Sequence, residues 1–184
     1  CTFKDGDILE EWFGGGFDLT PYILFEEDCS LWHKNAKKAS NHNYEEWKKN
    51  CDNYFYLKHR NEHRGIGGLF YEKQKFEDID EGLNLSEKIV NAFINSYFEI
   101  ISMRKELKFT ERQKEFQRFR RGRYVEFNLI YDRGTLFGLQ SGGRIESILM
   151  SLPNEVSWRY KFDEQLTDEE KKLYMAIKKT KKWA

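Results

Sequence analysis

Between Ser86 and Ile101 the apolar residues fall at helical spacing. Ile89, Val90, Phe93, Ile94, Tyr97 and Ile101 form one stripe, which predicts an amphipathic helix capped by Ser86. Trp47, Cys51, Tyr54 and Phe55 recur in the same way after the capping pair Asn43–Glu46. They predict a helix running to about His59 or Glu62, ended by the glycines that begin at Gly65. A further helix is expected from about Phe25 to Lys38, after the start signal Thr20–Pro21. Thr110 with Gln113 and Thr167 with Glu170 are capping boxes. The first opens a basic helix ending at Gly122, and the second a final helix carrying Leu173, Tyr174 and Ile177. Strands are marked by alternation or short apolar runs. Val125, Phe127, Leu129 and Tyr131 predict one over Arg123–Asp132, with shorter ones at Leu69–Tyr71, Leu136–Leu139 and Val156–Tyr160. Trp12 to Phe17, with three glycines inside, predicts a strand that bends or lets something approach its backbone. Ile145, Ile148, Leu149 and Leu152 are spaced for one side of a short helix. Strands with helices between and around them predict one layered α+β domain over residues 1–184.

Charge and composition then narrow the partners. Acidic and basic residues balance at 31 each, which argues against a nucleic-acid partner held by counterion release. No apolar run is long enough to span a membrane. Cys1, Cys29 and Cys51 are isolated and odd in number, a pattern that fits a reducing compartment rather than a disulfide framework. The chain begins with Cys1 rather than Met and has no signal peptide at its start, so it is expected to be a piece of something longer.

Four constellations could carry chemistry. Asp18 follows the three glycines and either points into a cleft or caps the helix start near Thr20. His59-Arg60-Asn61-Glu62-His63-Arg64 matches H-x-x-E-H. On a helix it would set His59 and His63 on one face for zinc, with Glu62 as base; Arg60 and Arg64 on that face would equally suit an anion. Gly142-Gly143-Arg144 before a helix suits a carboxylate or phosphate. Arg118 to Tyr124 interleaves basic and aromatic residues as RNA-binding strands do, but Arg123 and Tyr124 break that signature.

Taken in order, these segments resemble one family. Trp12-Phe13-Gly14-Gly15-Gly16-Phe17-Asp18-Leu19-Thr20-Pro21, Tyr54 to Phe70 around His59-Arg60-Asn61-Glu62-His63-Arg64-Gly65, Arg120 to Leu129, Asp132-Arg133-Gly134-Thr135 and Gly142 to Pro153 are similar to the oxygen-dependent coproporphyrinogen III oxidases, in their C-terminal portion. The likeness extends from about Glu10 to Trp183. Asn50 departs from the Trp usual before Cys51, and Tyr71-Glu72 from the usual Phe-Asp.

The resemblance implies a large antiparallel β-sheet flanked by α-helices on both faces, in a homodimer joined through the Tyr124–Pro153 region. It implies oxidative decarboxylation of two propionates of coproporphyrinogen III to vinyl groups. Dioxygen is the co-substrate, and neither an organic cofactor nor a metal is required. Asp18 matches the catalytic aspartate at the pyrrole N–H; Arg64, Gly142, Gly143, Arg144 and Arg60 match the substrate-holding positions. His33 and His59 match histidines to which a divalent metal is sometimes assigned. The expected compartment is the cytoplasm, or a mitochondrion or plastid if an upstream segment addresses it there. The family's upstream half supplies sheet strands, a proton-donating histidine and an arginine near the aspartate.

Overall fold

A computed structural model describes residues 2–4 and 7–184, with side chains from Glu10 onward; Cys1 lies outside the described residues. Two short antiparallel strands, β1 (Thr2–Lys4) and β2 (Asp7–Glu10), lead into β3 (Phe13–Leu19). Helices α1 (Glu26–Ser40) and α2 (Tyr44–Tyr54) follow, joined by one 3-10 turn. A small hairpin, β4 (Tyr56–Leu57) with β5 (Glu62–His63), then delivers the chain to β6 (Gly67–Gln74), which pairs antiparallel with β3. The rest is helical: α3 (Ile79–Arg104), α4 (Glu111–Ile130), α5 (Arg133–Gln140), α6 (Ile145–Leu149) and α7 (Asp168–Lys178).

The core sits where α1, α2 and α3 meet the β3–β6 ribbon. Trp32 of α1 is fully buried edge-on to Phe17, and Trp47 of α2 stacks on Tyr71 at 4.1 Å between ring centroids. Aromatic pairs in such offset or edge geometry contribute about 0.5–1.5 kcal/mol beyond the area they bury. Gly16 is required here. A β-carbon on it would strike the Leu69 carbonyl, so glycine lets β6 close on β3. A second cluster joins α4 to α7, where Phe116, Phe119 and Phe162 pack with Leu173, Tyr174 and Ile177. Both predicted capping boxes form, at Thr110–Gln113 and Thr167–Glu170.

Several expectations are corrected. Among the described residues helices are combined with small antiparallel sheets, none of more than two strands. The segment Arg123–Asp132 is helical, because α4 runs through Gly122 to Ile130. Its buried positions Phe116, Phe119, Arg120, Arg123 and Phe127 recur every three or four residues, and the alternation of Val125, Phe127, Leu129 and Tyr131 is incidental. Leu136–Leu139 is helical in α5, where Asp132 caps the first turn by accepting from the Thr135 N–H at 2.7 Å. Val156–Tyr160 forms no strand. It lies over α4 through Ser157 N–H to the Arg118 carbonyl, with Trp158 seated on Gly122.

Helix α3 starts at the Asp78 cap rather than at Ser86, whose hydroxyl instead donates back to the Gly82 carbonyl at 2.8 Å. Of its predicted stripe Ile89 is buried and Phe93 packs on Phe17 and Trp32, whereas Val90, Tyr97 and Ile101 are exposed. Helix α1 occupies the predicted Phe25–Lys38 segment, with Phe25 at its N-cap position making no side-chain cap and Thr20 lying outside the helix, while α2 stops at Tyr54 rather than near His59. Asn61, at φ 51°, turns the chain back into a hairpin.

Candidate active site

Residues directly opposite in an antiparallel ribbon share a face. The pairings Gly16↔Phe70 and Asp18↔Gly68 therefore put Gly14, Gly16 and Asp18 on one side of β3–β6, with Phe70 and Glu72 beside them. Phe17, Leu69 and Tyr71 fill the opposite, buried side. The first face is bare backbone at Gly14 and Gly16, both exposed, and ends in a half-buried carboxylate. A glycine at alternate positions thus makes a flat floor beside Asp18, on which a large ring could lie.

Arg64 closes that end. Its Nη2 donates to Asp18 Oδ2. The guanidinium is buried and lies 3.9 Å from the Phe55 ring centre, with Tyr124 and Phe127 of α4 each at 5.0 Å. Three aromatic faces around one guanidinium fix its plane. Its position along the chain is set by its own N–H, which donates to the Phe55 carbonyl at 2.9 Å. The Arg64 Nε is buried without a partner, and Asp18 Oδ1 accepts no hydrogen bond among the described residues. A buried unpaired donor is costly unless a ligand uses it. The pair therefore keeps a donor and an acceptor in reserve.

The hairpin just before Arg64 has the opposite character. Glu126 accepts five hydrogen bonds: from His59 Nε2 at 2.8 Å, Arg60 Nε at 2.9 Å and Nη2 at 2.7 Å, Arg123 at 3.1 Å and Trp158 at 2.9 Å. Burial acts to raise its pKa, but the Arg60 hydrogen bonds, the Arg123 charge and the remaining donors outweigh it and hold the carboxyl at about 2. Glu62 is buried against Arg120 at 2.5 Å and Arg123 at 3.3 Å.

This network corrects the zinc reading. His59 and His63 do not share a helical face, and Glu62, being ion-paired, cannot serve as a base. His63 donates from Nδ1 to the Ile177 carbonyl at 2.8 Å. Nor do His33 and His59 fit a metal. His33 Nε2 donates to the Ile66 carbonyl at 3.0 Å, so Nδ1 accepts from Tyr44 at 2.9 Å, and burial pushes its pKa down to about 4. His59 uses its other nitrogen on Tyr131 at 2.8 Å. Among the described residues no three His, Cys, Asp or Glu side chains gather as a metal site.

The remaining predicted residues lie elsewhere. Arg60 spends its planar fork on Glu126. Gly142, Gly143 and Arg144 are exposed on the turn between α5 and α6, two short helices packed on each other. Gly142 has φ +74°, a value that favours glycine, and Arg144 forms no ion pair among the described residues. Sequence reasoning missed Glu126, Arg120 and Arg123. Their only signal was charge at helical spacing on an otherwise aromatic stretch. It also missed Tyr54, which stacks on Phe70 at 4.3 Å and donates to Asp132 at 2.9 Å.

The chain is similar to known proteins along nearly all of its length. The family described as coproporphyrinogen III oxidase matches residues 2–183. The oxygen-dependent coproporphyrinogen-III oxidase of Francisella tularensis subsp. holarctica (strain OSU18) is 51% identical over 171 residues, covering 91% of this chain and 56% of that protein. The protein of the same name from Francisella tularensis subsp. novicida (strain U112) is 51% identical over 178 residues, covering 95% of this chain and 58% of that protein. The chain therefore spans little more than half the length of these curated relatives. With the match running through the glycine floor, the Asp18–Arg64 pair and the Gly142–Arg144 turn, the chain belongs to the coproporphyrinogen III oxidase family.

Proposed function

We propose that this chain carries the reacting end of an oxygen-dependent coproporphyrinogen III oxidase, which converts two propionates to vinyl groups and yields protoporphyrinogen IX. The observation that carries the reading is the Asp18–Arg64 pair, caged by aromatics at the end of a bare glycine floor. Asp18 Oδ1 accepts the pyrrole N–H of the ring being oxidised and favours loss of its proton, so that the electron-rich pyrrole reacts with dioxygen. Arg64 pairs with Asp18 and offers its spare Nε–H to a substrate carboxylate. For each propionate, a C–H bond at the β-carbon and the bond to the carboxyl break and a C=C bond forms. Dioxygen takes the two electrons and two protons and leaves as hydrogen peroxide, and CO₂ is released.

In this reading Gly142, Gly143 and Arg144 hold a propionate in the complete enzyme. That enzyme is a cytoplasmic homodimer through the Tyr124–Pro153 region, with the β3–β6 ribbon part of a larger antiparallel sheet between helices. No organic cofactor and no metal takes part. No helix among the described residues is long and apolar enough to cross a membrane.

The test is product formation from coproporphyrinogen III under air with a chelator present, by the full-length protein and its Asp18→Ala variant. Two-step conversion by the parent and none by the variant supports the reading; no product from the parent overturns it.

A further inference from the structure

Four residues up the strand from Asp18, the same face opens into a second polar feature. A cleft of about 570 Å³ is lined by Trp12, Gly14, Phe70, Glu72, Lys73 and Arg133, among others. It offers two cations and two aromatic walls over a side-chain-free strip of β3. At roughly 3.3 Å per residue its floor at Gly14 lies about 13 Å from Asp18, within the span of a tetrapyrrole bearing side chains.

Arg133 is placed in that cleft by a built network. Tyr54 Oη donates to Asp132 Oδ1 at 2.9 Å and accepts from the Arg133 N–H at 3.3 Å, while Asp132 Oδ2 accepts from the Thr135 hydroxyl at 2.7 Å. The guanidinium lies over the Tyr54 ring at 4.8 Å, and Tyr54 itself stacks on Phe70. The backbone of Arg133 is thus fixed, but among the described residues its charge pairs with Glu72 alone, at 2.6 Å, and the two side chains are 60% and 51% exposed. An exposed pair of this kind contributes about 0–1 kcal/mol, so it exchanges readily for another carboxylate. Lys73 approaches the Trp12 ring at 5.8 Å and adds a second positive charge.

We propose that Arg133, supported by Lys73, is a second carboxylate subsite at the far end of the glycine floor. It takes a carboxylate of the macrocycle whose reacting ring rests on Asp18, and Glu72 is a placeholder that this carboxylate displaces. The proposal rests on the reading of the Asp18 face as the macrocycle's seat. It adds what holds the end remote from the chemistry and therefore sets which ring is presented.

The test uses the full-length protein and two stable macrocycles: coproporphyrin III, with four carboxylates, and etioporphyrin, with none. Binding is followed by quenching of tryptophan fluorescence, and turnover of coproporphyrinogen III is measured on the same samples. Arg133→Gln should raise the Kd for coproporphyrin III about tenfold, Arg133→Lys less, and leave etioporphyrin unchanged. Glu72→Gln should lower that Kd severalfold by freeing the guanidinium. A Kd and KM unchanged in Arg133→Gln, in a protein whose parent turns over, overturn the subsite and leave the decarboxylase reading intact. A parent that does not turn over, yet binds coproporphyrin III in an Arg133-dependent way, sinks the decarboxylase reading and supports the subsite.

Discussion

Two carboxylate centres adjoin α4, and they are built to opposite rules. Glu126 is saturated, accepting five hydrogen bonds from Arg60, Arg123, His59 and Trp158, and Glu62 beside it is buried in ion pairs with Arg120 and Arg123. Asp18 is half-buried and receives one arginine, which itself keeps an unpaired Nε. The same helix serves both centres, turning Tyr124 and Phe127 toward Arg64 and Arg120, Arg123 and Glu126 toward the hairpin. The difference separates scaffold from chemistry. A saturated network fixes geometry, whereas a pair with capacity in reserve acts on something else. The hairpin locked by the first centre runs straight into Arg64, so rigidity at Glu126 becomes orientation at Asp18.

The largest effect should come from breaking the saturated side. Glu62→Ala leaves Arg120 and Arg123 buried without their carboxylate and should destabilise the fold by about 3–5 kcal/mol, read as a lower midpoint in urea unfolding. Equal stability of parent and variant would show that Glu62 is not a structural partner and would erase the contrast. Glu62→Gln, which keeps one acceptor, should fall between them.

A smaller effect is expected at the joint between the ribbon and α5. Tyr54→Phe keeps the stacking on Phe70 but removes the hydroxyl that bonds Asp132 and the Arg133 N–H. It should cost about 1 kcal/mol of stability. It should also weaken carboxylate binding more than it changes turnover at saturating substrate, because it loosens Arg133 and leaves Asp18 and Arg64 in place. A fall in kcat with KM unchanged would put Tyr54 in the chemistry and contradict the division drawn here.

The contrast also accounts for what the sequence disclosed. Capping at Thr110–Gln113 and Thr167–Glu170 is decided within one turn of chain, and both boxes were legible. The strand over Trp12–Phe17 was legible from its glycines, whereas the spacing around Asp18 allowed a cleft-facing carboxylate and a helix cap alike, and only the family resemblance favoured the first. The saturated centre was not legible. Arg120, Arg123 and Glu126 are charged, so the buried stripe of α4 was invisible to a count of apolar residues, and the alternation from Val125 to Tyr131 suggested a strand. The hairpin at Tyr56–His63 was hidden for a related reason. The pairing of Glu62 with Arg120 spans 58 residues, and no local pattern announces it. Asn61, tolerant of positive φ, was the one available turn signal.

The smallest effect expected is a slope rather than a loss. Glu126 is held at about 2, against an ordinary glutamate near 4.5. Between those values the unfolded chain binds a proton that the folded chain refuses. The stability that Glu126 contributes is therefore fully present above about pH 4.5 and is lost as pH falls through 2. Glu126→Gln, which has no proton to refuse, should be less stable at neutral pH. Across that acid window its stability should also fall less steeply than the parent's, as followed by urea midpoints at a series of pH values. Parallel slopes in the two proteins would mean that the arginines, His59 and Trp158 do not hold Glu126 ionised, and its role in orienting the Arg64 hairpin would lose its basis.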